Sequence, residues 1–260
     1  MKRLFLLLFC AFLLESAFIL PAMAVRDAYS WYCVRNKDHK QPRLDAEMRF
    51  IEDFGGYHVD KAHGDDCSEK VLYLTFDAGY ENGNIEKTLD ILKEQNVSAA
   101  FFVLGNLIEK NSDLICRMET EGHIVCNHTD KHRDMSRYST KEEFEAELRS
   151  LEEKYYRCTG KQMKKYYRPP EGRFSLENMK FAHALGYKTI FWSFAYADWD
   201  NEHQMSPEKA KEKILSNIHN GAIILLHPTS ATNAEILGEV IIELKNEGYT
   251  FGTLDELTAS

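Results

Sequence analysis

Excess positive charge is absent from this 260-residue chain: acids outnumber bases, the formal net charge is −9, and the two signs are interspersed. Such a surface offers nothing to nucleic acid or anionic lipid. Cysteine is sparse and unpatterned. With Cys10 in the leader, Cys33, Cys67, Cys116, Cys126 and Cys158 remain, an odd number without CxxC spacing. That pattern supports neither a cysteine zinc site nor a disulfide framework. Cys116 and Cys126 lie among apolar residues and are expected in the core. A Cys33–Cys67 bridge is the pairing open to an exported chain, though spacing alone gives it no support. Internal repeats and low-complexity tracts are also missing. What is present, 44% hydrophobic and 28% charged residues, fits one globular domain of catalytic size.

The N-terminus has a different character. Lys2 and Arg3 precede the apolar run Leu4 to Leu14, which is too short to span a bilayer comfortably. Ala22-Met23-Ala24 supplies a small-x-small cleavage pattern, so residues 1–24 read as a signal peptide and the body as exported. Glu15 interrupts the run and Phe18 to Leu20 resume it, so an uncleaved anchor is the alternative. Residues 25–69 lack sustained periodicity and read as an extension wrapped on the main domain, residues 70–260.

From residue 70 strand-like and helix-like stretches alternate. Strands are expected at 71–76, 98–104, 123–127, 166–168, 188–194, 222–226 and 249–251. Helices are expected at 84–95, 106–120, 140–157, 176–185 and 233–246, with another opened by Ser206-Pro207. This alternation predicts an α/β fold, a parallel sheet closed or nearly closed into a barrel; an open doubly wound sheet is the competitor.

Polar residues gather where the strands end. Asp77 ends the first strand, and His128 and His132 follow the third. Arg168 ends the fourth, Asp198 follows the fifth, and His227 ends the sixth. Taken singly, an aspartate near a glycine is a turn residue and a strand-end histidine a packing residue. Six such groups at successive C-terminal ends are another matter, because those ends share one mouth in a parallel barrel. In "HTDKH", residues 128–132, the four-residue spacing puts both imidazoles on one face of a helical turn, within reach of one divalent ion.

"TFDAGYENG", "HTDKH", "RPPEGRF", "YADWD" and "LLHP" follow the order of the five motifs of the NodB-homology polysaccharide deacetylases, carbohydrate esterase family 4, which residues 70–258 resemble. "GYENG", "ADW" and "KQPRLD" resemble the branch of peptidoglycan N-acetylmuramic acid deacetylases that lead to muramic δ-lactam in spore cortex. The resemblance implies a distorted (β/α)7 barrel and metal-assisted hydrolysis of a glycan N-acetyl group. It makes Asp77 the general base, His128 and His132 the metal ligands, and Arg168 the residue orienting the base. Asp198 becomes the partner of His227, the general acid. The backbone N–H of Glu171 would help hold the oxyanion, and Trp199 and Leu225 would wall the acetyl methyl, although Leu225 equally suits the core. The implied cofactor is a divalent ion, Zn2+ or similar, and the implied partner is the peptidoglycan glycan strand, met by a monomer on the cell-wall or spore-cortex side of the membrane.

One position departs from the family. A second acid normally follows the base and completes the metal triad, and here that residue is Ala78. Its methyl offers no lone pair, so metal affinity is expected to be weakened. Glu81 and Asp130 are nearby carboxylates, both read as turn or solvent-facing residues. Two readings stay open beside the deacetylase of peptidoglycan. One is a glycan-binding pseudoenzyme using Tyr80, Trp192 and Trp199 as stacking surfaces. The other is a deacetylase of chitin or acetylated xylan.

Overall fold

In the computed structural model, which describes residues 28–34 and 38–259, the chain's first regular apolar run forms the central strand of a curled parallel sheet. The expected signal peptide, residues 1–24, lies outside the described residues. The strands are β1 (Ala28–Ser30), β2 (Gly56–Tyr57), β3 (Lys70–Ala78), β4 (Ala100–Val103), β5 (Ile124–Asn127), β6 (Tyr166–Tyr167), β7 (Arg173–Ser175), β8 (Lys188–Ile190), β9 (Ala222–Leu226) and β10 (Tyr249–Phe251). The helices are α1 (Phe50–Asp53), α2 (Asn84–Glu94), α3 (Gly105–Lys110), α4 (Ser112–Thr120), α5 (Lys141–Thr159), α6 (Leu176–Ala184), α7 (Pro207–Leu215), α8 (Ala231–Asn246) and α9 (Leu254–Leu257). None of the described helices is long and apolar enough to cross a membrane.

The seven expected strands all form and all run parallel: β9 beside β3, then β4, β5, β6 and β8, with β10 on the first residues of β3. β10 shares one edge of β3 with β4: the Leu72 carbonyl accepts from Gly252 and the Ala78 carbonyl from Leu104. The sheet closes through a seam. After β8 the chain crosses to β9, where Ser193 donates to the Ile223 carbonyl at 3.0 Å and Leu225 to the Phe194 carbonyl at 2.9 Å. That seam decides for a distorted (β/α)7 barrel over the open sheet. It also shortens the strand expected at 188–194, because a ladder that changes partner must bend.

Period-two alternation on β3 sorts its side chains. Leu72, Leu74 and Phe76 join the core beneath the helices, together with residues of α2 and α8. Tyr73 faces the barrel interior with Phe102, Cys126, Ile190 and Ile223. Thr75 and Asp77 continue that inner row, so Asp77 arrives at the barrel's upper rim.

Two expectations are corrected. The helix at 106–120 is two helices, α3 and α4, because Asn111 leaves helical geometry at φ −138 and ψ 52. Cys116 is exposed while Cys126 is buried, so only the second is a core thiol. Cys33 and Cys67 are not joined by a disulfide, in keeping with the lack of any spacing that favours a bridge.

The N-terminal residues are joined to the barrel by backbone pairing. β1 runs antiparallel to β7, β2 parallel to β8, and Trp31 stacks on Phe191 while donating to the Trp192 carbonyl at 2.9 Å. The Gln41 amide donates to the carbonyls of Asp60, His63 and Asn220 at 2.6, 3.2 and 3.0 Å. Gly221 lies inside this knot at φ +69, and a Cβ there would sit 2.5 Å from the Asp60 carbonyl oxygen. Gly221→Ala is therefore expected to cost at least ~1 kcal/mol of stability, read as a lower urea midpoint at unchanged slope.

Candidate active site

The strand C-termini surround a cavity of about 770 Å³. Of the nine residues given catalytic, metal or substrate roles from sequence, seven border it: Asp77, His128, His132, Glu171, Trp199, Leu225 and His227. Arg168 and Asp198 stand behind two of them, at 0% and 1% exposure. Trp199 is 63% exposed on the rim, whereas Leu225 is buried in the wall.

Arg168 is gripped on every side. Its Nε donates to the Ile190 carbonyl at 2.9 Å, and Nη2 donates to Thr75 Oγ1 at 2.9 Å and to the Phe191 carbonyl at 3.3 Å. The guanidinium lies 4.1 Å from the Phe102 ring centroid. The remaining Nη1 donates to Asp77 Oδ1 at 2.8 Å. Burial pushes the Asp77 pKa up, but attraction to the neighbouring His128 ring and the Arg168 guanidinium outweighs it and holds the carboxyl below its ordinary range. An ionised carboxylate with one oxygen fixed and the other facing the cavity results.

That second oxygen, Oδ2, is 3.4 Å from His128 Nε2. His128 Nδ1 lies 2.9 Å from the Arg168 carbonyl, a contact that places its proton on Nδ1 and leaves the Nε2 lone pair toward the cavity. Burial lowers its pKa to about 4, so the imidazole is neutral, and burial lowers His132 as well. The two rings are 5.0 Å apart. They do not share a helical face. Thr129 and His132 take left-handed backbone at φ 73 and φ 53, so a loop brings the rings together.

α5 holds that loop. Glu147 Oε1 accepts from the Lys131 N–H at 2.7 Å, Ser150 Oγ donates to Asp130 Oδ2 at 2.8 Å, and Lys154 Nζ pairs with Asp130 Oδ1 at 2.7 Å. Asp130 is thus buried and turned to α5, not solvent-facing as expected. It presses so closely on Gly105 that a Cβ there would lie 1.8 Å from Oδ1. Glu81 is a turn residue, accepting from the Gly83 N–H.

The donor set fits a divalent cation through the two imidazoles, both neutral and one with its tautomer fixed. A full protein set does not form: among the described residues no group of three or more His, Cys, Asp or Glu is arranged to hold a metal. Ala78, fully buried at the cavity edge, brings only a methyl group to the position where the family resemblance leads one to expect a further carboxylate.

On the opposite wall, His227 Nδ1 is 2.7 Å from Asp198 Oδ1, and the His227 N–H donates to Asp198 Oδ2 at 2.7 Å. Burial pulls the imidazole pKa down, but the Asp198 hydrogen bond and charge prevail and raise it above the ordinary histidine value. Asn233 Nδ2 donates to the same Oδ2 at 2.5 Å. Sequence reasoning missed Asn233, Thr75 and the Glu147–Ser150–Lys154 brace, and no spacing signal marked them. Glu171 borders the cavity in left-handed geometry, φ 55 and ψ 12, between Pro169-Pro170 and Gly172.

Residues 64–190 match the protein family described as Polysaccharide deacetylase. The chain is 39% identical over 250 residues to the peptidoglycan-N-acetylmuramic acid deacetylase PdaA of Bacillus subtilis, covering 95% of this chain and 93% of that protein. The solved structure of Bacillus subtilis PdaA, a family 4 carbohydrate esterase, superposes with TM-score 0.83 over 89% of this chain and 97% of that one, at 39% identity. A family 4 pseudoenzyme from Bacillus anthracis is similar at 29% identity and TM-score 0.67, over 74% of this chain and 66% of that one.

Two measurements test this geometry. His132→Ala is expected to weaken zinc binding at least ~10-fold in competition with a chromophoric chelator, with a smaller loss for Asp130→Ala, which only frees the loop. His227 is expected to titrate by NMR above the ordinary histidine range, and Asp198→Asn to move its midpoint down.

Proposed function

Because the chain belongs to the polysaccharide deacetylases of carbohydrate esterase family 4, we propose that it removes the N-acetyl group from a peptidoglycan amino sugar. The sugar is N-acetylmuramic acid already stripped of its peptide, and the product leads to muramic δ-lactam. The observation that carries this reading is the pair of polar dyads facing one cavity, Arg168–Asp77 on one wall and Asp198–His227 on the other. The likeness to the Bacillus subtilis N-acetylmuramic acid deacetylase supports the choice of sugar. Export to the cell-wall side, a spore-cortex setting and action as a monomer complete the proposal.

Amide hydrolysis requires a deprotonated water, a stabilised oxyanion and a proton for the departing amine. Asp77, kept ionised by Arg168, accepts the proton of the attacking water. His128 and His132 would hold a divalent cation such as Zn2+, whose Lewis acidity, when bound, acidifies water and polarises the carbonyl. The Glu171 backbone N–H adds an oxyanion donor, an interaction on the order of 3 kcal/mol. His227, kept protonated toward neutral pH by Asp198, delivers its proton to the amine nitrogen as the C–N bond breaks. Acetate and a free amine leave. Leu225 and Trp199 border the space for the acetyl methyl, and Tyr80 and Trp199 give the rim a surface on which sugar rings stack.

Ala78 favours a second reading, a glycan-binding protein that lacks turnover because its ion is too weakly held. Acetate release from peptide-stripped glycan, intact cortex-type peptidoglycan and chitooligosaccharides, with and without chelator, separates the two. The deacetylase reading expects release chiefly from the stripped glycan, with Asp77→Asn and His227→Ala each lowering turnover at least ~100-fold. No release from any of the three at any metal concentration would leave the binding reading in its place. The rate is expected to fall as pH rises through the raised His227 pKa, since the acid form is then lost.

A further inference from the structure

Two cysteines that take no part in this chemistry lie side by side away from the cavity. Cys116 on α4 is exposed, Cys158 at the end of α5 is partly buried, and their sulfurs are 4.0 Å apart across 42 positions of sequence. Both thiols turn into the α4–α5 seam. Cys158 Sγ is 3.5 Å from the Ser112 carbonyl and Cys116 Sγ 3.8 Å from the Cys158 carbonyl. A disulfide needs sulfurs at ~2 Å, so closure asks for about 2 Å of side-chain movement rather than a rearranged fold. The helices that would be joined already pack on each other.

We propose that Cys116 and Cys158 form a disulfide that ties α4 to α5 when the protein meets a disulfide-class oxidant. The exposed Cys116 gives up its proton and attacks one sulfur of the oxidant, expelling a thiolate and leaving a mixed disulfide. Cys158, deprotonated in turn, attacks the Cys116 sulfur and expels the second thiolate. Two thiols are oxidised, one oxidant disulfide is reduced, and the two protons end on the expelled thiolates. Burial, with Cys116 beside it, pushes the Cys158 thiol up to about 11, which suits the resolving partner rather than the first attacker. The link anchors the end of the helix whose Glu147, Ser150 and Lys154 brace the histidine loop. It holds whichever glycan is the substrate.

The test is a non-reducing peptide map of the full chain after incubation with oxidised glutathione and alkylation of the remaining thiols. The expected product is one linked pair of peptides containing Cys116 and Cys158, lost on reduction and absent from both Cys116→Ser and Cys158→Ser. Circular dichroism of the serine variants confirms that they are folded. The oxidised protein is expected to melt about 5 °C or more above the reduced one, a difference that the variants do not show. Recovery of Cys116 and Cys158 as alkylated thiols after oxidation, or a link to Cys33, Cys67 or Cys126 instead, overturns the proposal.

Discussion

The buried guanidinium of Arg168 is the constraint around which the site is arranged. A cation with no exposure must have its donors satisfied, and here they bind two backbone carbonyls, a threonine hydroxyl and Asp77. Those partners come from β3 and from the chain at and just after β8, so one side chain ties distant parts of the barrel together. The arrangement also acts on chemistry. A carboxylate held at one oxygen by a fixed cation keeps its charge and presents the other oxygen to the cavity in a single orientation.

A second pair repeats the logic with the opposite outcome. The cation beside Asp77 favours loss of its proton, whereas the carboxylate beside His227 favours keeping one. Two titratable groups driven in opposite directions across one cavity is the separation an acid and a base need at one pH. The histidines between them are neutral, because burial outweighs the nearby carboxylate. One cavity thus holds a base, an acid and two neutral imidazoles. Ala78 is the point at which this set falls short of a complete metal site, and α5 compensates in rigidity only: its brace fixes where the imidazoles stand without adding a ligand.

Much of the barrel was legible along the chain. Each of the seven strands appears as an apolar run of strand length, and each polar group at a strand end faces or backs the cavity, because parallel strands deliver their C-termini to one rim. Pro207 in the first turn of α7 was readable too, since such preferences are local. The misreadings have one source. The "HTDKH" spacing fits a helical turn, but packing of Asp130 against Ser150, Lys154 and Gly105 imposes a loop with left-handed residues. The bend before Phe194 likewise answers to a neighbour remote in sequence, β9.

The sequence by itself determined which residues are available for chemistry and in what order the strands bring them, since apolar periodicity and strand ends are properties of adjacent residues. It could not show that Arg168 is wholly buried, that Asp130 turns to α5, that Asn233 supports Asp198, or that Cys116 meets Cys158. Only the tertiary structure decided those, because each is a contact between side chains whose distance depends on barrel closure and helix packing.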